Sequence, residues 1–176
     1  MSTSRIAPVE PGTRPRLADI EARILAARGR ITPLYRVLLN SAPVVDGWEA
    51  MLTAIRQKTS LAPRVRELVI LRVAVLNRAP YEFEAHVPHA RAAGLLDEVI
   101  EGLRAGAAPD AVRGLDAGER GVLALTDTMT RDIEVPDAVF EPLRVHFDEQ
   151  GLIELAATVA AYNMVSRFLV ALRIGH

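Results

Sequence analysis

No cysteine occurs in the 176 residues. That absence removes disulfides, thiolate metal sites and every thiol reaction at once. A charge excess of one sign is missing too: Lys and Arg total 21 against 22 Asp and Glu, a net charge of −1. So even a balance gives no basic field for nucleic acid, and no nucleic-acid partner is expected. The opening residues, MSTSRIAPVEPGTRPR, lack the apolar core of a secretory signal, which makes the cytoplasm the expected location. The longest apolar run, near the C-terminus, is interrupted by Glu154, Asn163 and Arg167. It reads as a buried core helix, too polar for a membrane span, and no membrane partner is expected. No segment alternates convincingly as a strand would, and there is no repeat or low-complexity tract.

What is present is helical patterning. Residues 1–15 hold four prolines or glycines and little periodicity, and read as an extended arm. Residues 16–176 are expected to form a single domain, large enough to bury a core without staples. Leu17, Ile20, Ile24 and Ala27 mark a first helix that Gly29 stops. Thr32-Pro33 and Pro43 open two more, the second with Val45, Trp48, Leu52 and Ile55 on one side. Later helices are expected over 95–105, from an Asp116/Glu119 capping box to about Arg131, and from Pro136 through Val139, Phe140, Leu143 and Phe147. Gly151 is expected to separate that last one from the C-terminal helix, LIELAATVAAYNMVSRFLVALRI. The fold class is all-α, with about eight helices.

The chemistry concentrates in PRVRELVILRVAVLNRAPYEFEAHVPHARAAG, residues 63–94. Pro63 starts a helix apolar on most faces, the mark of an element buried on several sides. Glu67 shares a face with Leu71 and Ala74, so its carboxylate needs a partner or must shift its pKa upward. Arg64 and Arg72 are the expected ion-pair candidates. A second helix restarts at Pro80 and carries Glu82, His86 and His89 along one side. Pro88 predicts a kink just past His86, and Gly94 suits the helix end. Packed antiparallel, the two helices would bring Glu67 to His86. On the residues alone, a structural role competes with a functional one at each position. A divalent metal on Glu82, His86 and His89 is a further alternative, though no fourth ligand is evident.

The blocks RELVILRVAVLNRAPYEFEAHVPHARAAGL and ELAATVAAYNMVSRFL resemble the carboxymuconolactone decarboxylase-like family. Its all-helical fold is shared with the alkylhydroperoxidase D-like proteins. The likeness runs from about residue 30 to the end and is strongest over 61–95 and 152–170. Alkylhydroperoxidase-type members carry a Glu, a Cys-x-x-Cys pair and a His; these positions are matched by Glu67, Ala79, Glu82 and His86. The thiol relay is therefore absent, and thiol peroxidase activity is excluded. The decarboxylase members use neither metal nor organic cofactor. The resemblance implies an acid–base lyase acting on a small carboxylated lactone or unsaturated cyclic acid, with His86 as general acid/base and Glu67 and Glu82 as its catalytic partners. Tyr81, His89 and Arg72 are the implied substrate-binding residues, and a homo-oligomer is the implied assembly. A non-catalytic ligand-binding or interaction oligomer of the same fold is the alternative, and a thiol-independent oxidoreductase or metal protein is the third reading.

Overall fold

The computed structural model describes residues 4–175. These hold nine α-helices, three short 3-10 turns and no strand. The chain divides into two compact units: Met1–Lys58 with Leu169–His176, and Thr59–Phe168.

In the first unit, residues 4–14 form no helix or strand, bend at 5–6, turn at 11–13, and are tied down by their backbone. Arg5 N–H donates to the Leu172 carbonyl (2.9 Å) and Val9 N–H to that of Arg36 (2.8 Å). Then come α1 (Ala18–Arg28), α2 (Pro33–Leu38) and α3 (Ala42–Gln57). Gly29, at φ 71°, closes α1 in the left-handed conformation that glycine adopts without a Cβ penalty. Helices α1 and α2 both pack on α3 around Ile24, Leu38, Val45 and Leu52, all buried.

In the second unit, α4 (Pro63–Leu76) is the central helix, packed by α5 (Pro80–Ala92), α6 (Asp97–Arg104) and α7 (Ala117–Arg131). From Leu68 to Ala74 no residue is more than 1% exposed. An all-round apolar sequence is thus buried all round, at about 1.5–3 kcal/mol per large aliphatic side chain. Arg72 lies in the middle of that run. Its guanidinium forms a fork with Asp127 of α7, Nε–Oδ1 and Nη2–Oδ2 both at 2.5 Å, and donates to the Ala107 carbonyl at 2.8 Å.

The α4–α5 turn is a Schellman closure. Arg78 N–H reaches the Val75 carbonyl and Ala79 N–H that of Ala74, which puts Arg78 at φ 54°. Helix α5 continues through Pro88 to Ala92 and ends in a second such closure at Gly94, φ 86°. The capping box of α7 forms: Glu119 N–H donates to Asp116 (2.8 Å) and Asp116 N–H to Glu119 (3.1 Å).

Two boundaries differ from expectation. The helix from Pro136 breaks into α8 (Asp137–Phe140) and a 3-10 turn, Glu141–Val145. Pro142, with no N–H to offer, prevents an α-helical continuation. Gly151 lies inside the first turn of α9 (Glu149–Leu172), whose cap is Asp148, accepting from Gly151 N–H at 2.8 Å. Helix α9 is also long and apolar enough to cross a membrane by length and composition, despite its polar residues; half of its most apolar window is buried in the protein. Of those residues, Glu154 pairs with no arginine: it accepts from Ser60 N–H (2.7 Å) and Ser60 Oγ (2.6 Å). Asn163 accepts from Asn77 (2.9 Å) and donates to Thr130 Oγ1 (2.9 Å), joining α9 to the ends of α4 and α7.

Candidate acid–base site

The turn at 77–79 folds α4 and α5 into an antiparallel hairpin, so Glu67, on the second turn of α4, meets His86, on the second turn of α5. Glu67 Oε2 lies 2.7 Å from His86 Nδ1. On the other side of the ring, Nε2 is 3.4 Å from Glu82 Oε1, one helical turn back. All three are buried: Glu67 is 2% exposed, His86 5% and Glu82 7%. The expected meeting of the carboxylate and the imidazole is therefore observed, with a second carboxylate added at the opposite nitrogen.

Because Nδ1 faces a carboxylate at hydrogen-bond distance, it carries the N–H, and Nε2, facing Glu82 at the longer 3.4 Å, makes the looser contact. Burial pulls the imidazole toward its neutral form. The hydrogen bonds and negative charges of Glu67 and Glu82 outweigh that pull, and the pKa stands above the ordinary 6.5. The site therefore favours the imidazolium.

Two further side chains complete the cluster. The Tyr162 ring stands edge-on to the imidazole, 5.5 Å between centroids at 87°. Arg66 Nε lies 3.7 Å from Glu67 Oε1; it is buried and makes no hydrogen bond. Residues one apart on a helix do not face each other by spacing, which is why the sequence pattern points away from this pairing. Tyr162 has no spacing signal at all, since it arrives from α9. The arginines expected to pair with Glu67 are engaged elsewhere: Arg64 bonds Glu119 at 2.5 Å, and Arg72 bonds Asp127.

Of the expected substrate-binding residues, His89 is exposed, with its ring 5.6 Å from that of His86, and Tyr81 is half-buried. Arg72 is not brought to the cluster. It sits five residues past Glu67, about 140° further round α4, and its fork is filled by Asp127. Among the described residues no group of three His, Asp or Glu side chains has the geometry to hold a metal ion.

Comparison with known proteins agrees with this architecture. Residues 42–126 match the model of the Carboxymuconolactone decarboxylase family. The uncharacterized protein YdfG of Bacillus subtilis (strain 168) is 25% identical over 118 residues, which is 66% of this chain and 78% of that one. An alkylhydroperoxidase AhpD core protein from Ralstonia eutropha JMP134 superposes with a TM-score of 0.83 at 20% identity, over 99% of this chain and 92% of that one. The debrominase Bmp8, as a cysteine-to-alanine variant holding 2,3,4-tribromopyrrole, gives 0.80 at 14% identity, over 99% and 91%.

Proposed function

Because this chain belongs to the carboxymuconolactone decarboxylase-like family, we propose that it is an acid–base enzyme that needs no cofactor. Its substrate is a small carboxylated lactone or unsaturated cyclic acid, decarboxylated or isomerised. One observation carries the reading: a buried imidazole held at Nδ1 by Glu67 at 2.7 Å and faced at Nε2 by Glu82 at 3.4 Å.

In decarboxylation the bond between the carboxyl carbon and the ring carbon breaks. Carbon dioxide leaves, and the electron pair stays on the ring carbon as an enolate. The Nε2–H of the His86 imidazolium then delivers its proton to that carbon, and the imidazole is reprotonated from solvent. In isomerisation the same nitrogen takes a proton from one carbon and returns it to another. Glu67 fixes the tautomer throughout. Glu82, the looser contact, yields Nε2 to the substrate. Such proton transfer contributes about 10²–10⁴-fold in rate. Arg66 supplies the positive charge that offsets the paired carboxylates. The raised pKa of His86 supports the acid role at neutral pH. Thiol chemistry has no cysteine to run on here. The protein is proposed to work as a cytoplasmic homo-oligomer.

A second reading, a ligand-binding member without turnover, is favoured by the enclosure of His86, whose two ring nitrogens both face protein carboxylates. Incubation with a panel of carboxylated lactones and unsaturated cyclic acids, read by mass spectrometry for loss of carbon dioxide or a shifted double bond, separates the two. Turnover by wild type that disappears in His86→Gln supports the enzyme. Undiminished turnover in that variant overturns the mechanism, and binding without turnover in both proteins favours the second reading.

A further inference from the structure

A cleft of about 380 Å³ opens beside the α4–α5 turn. Its floor is apolar, formed by Ala74 and Val75 from the last turn of α4 and by Pro80 and Phe83 from the first turn of α5. On α5, Pro80, Phe83 and Glu84 lie roughly 140° round the helix from Glu82, His86 and His89. The cleft and the acid–base cluster thus occupy different faces of the same helix.

Two arginines, Arg78 and Arg104, line it as well. The Arg104 guanidinium lies over the Phe83 ring, 4.4 Å from the centroid, and is neutralised by ion pairs to Glu84 and Glu101. Arg78 makes no side-chain hydrogen bond or ion pair among the described residues, whereas the two carboxylates near it, Glu84 and Glu101, are held by Arg104. Its backbone sits at φ 54°, a conformation that suits glycine far better than arginine.

We infer that this cleft is a second binding site, for a small monocarboxylate with a flat apolar body, such as an aryl or alicyclic acid. The body lies against Phe83, Pro80 and Val75, and the carboxylate pairs with Arg78. The volume is at the small end of ligand pockets, which suits a single ring. The site is independent of the chemistry proposed at His86, and one carboxylate at one guanidinium makes a weak, exchangeable contact.

The test is a ligand-observed NMR titration with benzoate and its neutral analogue benzamide, on wild type, Arg78→Gly and His86→Gln. Glycine fits the Arg78 backbone, so that variant removes the charge and keeps the fold. Saturable benzoate binding is expected, with benzamide several-fold weaker. Arg78→Gly should weaken benzoate about tenfold, and His86→Gln should leave it unchanged. The site is overturned by equal binding of benzoate and benzamide, by an unchanged affinity in Arg78→Gly, or by no saturable binding. Binding lost in His86→Gln but kept in Arg78→Gly also overturns it, and places the ligand at the acid–base cluster instead.

Discussion

Glu49 in the first compact unit and Glu67 in the second are both buried, and the two are held in opposite ways. Glu49, on α3, accepts from Tyr35 Oη at 2.5 Å, Thr53 Oγ1 at 2.5 Å and Arg28 Nε at 2.9 Å. Its counter-charge is a guanidinium that never titrates. Burial, then the hydrogen bond to Glu49, pushes the Tyr35 hydroxyl well above its ordinary value, so that proton stays in place too. This cluster pins α1, α2 and α3 together and has nothing to exchange. Glu67 is paired instead with an imidazole that a second carboxylate, Glu82, also faces. Its counter-charge is a proton that can leave. The two buried carboxylates therefore differ in whether the neutralising charge is permanent or titratable, and the proposed catalytic role falls to the titratable one.

The largest expected effect tests that contrast directly. His86→Gln should lower turnover of an identified substrate by about 10²–10⁴-fold. Glu49→Gln should leave turnover by the folded protein near wild type. Equal losses in steady-state kinetics would erase the distinction.

Stability should sort the other way. Glu49→Gln strips a buried carboxylate from Arg28, at a cost of about 3 kcal/mol by urea denaturation. A change under about 0.5 kcal/mol, typical of a surface substitution, would mean that the cluster is not a structural pin.

A smaller effect lies in pH. The His86 pKa is raised above 6.5, so the folded protein holds that proton more tightly than the unfolded chain does. The stability gained is fully present below about pH 6.5 and is lost as pH rises through the folded pKa. Unfolding free energy should therefore fall in that window, by at most about 1.4 kcal/mol per pH unit. The fall should persist in Glu49→Gln and vanish in His86→Gln; a slope retained without His86 would assign it to another group.

The smallest effect concerns the turn that sets the hairpin. Arg78→Gly removes a Cβ from a left-handed position and should raise stability by about 1 kcal/mol, seen as a higher melting temperature. A loss of stability would show that the arginine side chain holds the turn together.

Much of this was legible in the chain because helices announce themselves locally. Pro63, Pro80, Gly29, Gly94 and the Asp116/Glu119 box act within one turn of where they stand, and each marks its helix end. The break at Pro142 was masked by the apolar spacing of Val139, Phe140 and Leu143, which fits a helix that the proline forbids. The pairing of Glu67 with His86 was conditional on antiparallel packing, which the three-residue turn at 77–79 supplies.

The rest depends on elements distant in sequence. Arg72 looked like a substrate hook, and only the arrival of Asp127 on α7 makes it a filled fork. Tyr162 reaches the imidazole from α9; Arg66, by contrast, is the sequence neighbour of Glu67 and lies beside it although helical spacing assigns it to another face. The sequence by itself determined that the chain is all-α, that it cannot do thiol chemistry and that Glu67 lies on one helix with Glu82 and His86 along one side of the next. Tertiary structure alone decided which arginine stays near the carboxylates, which is locked away and how far burial and charge bias the histidine proton. Capping and periodicity are properties of a few consecutive residues, whereas charge partnership and desolvation exist only once separate helices have packed.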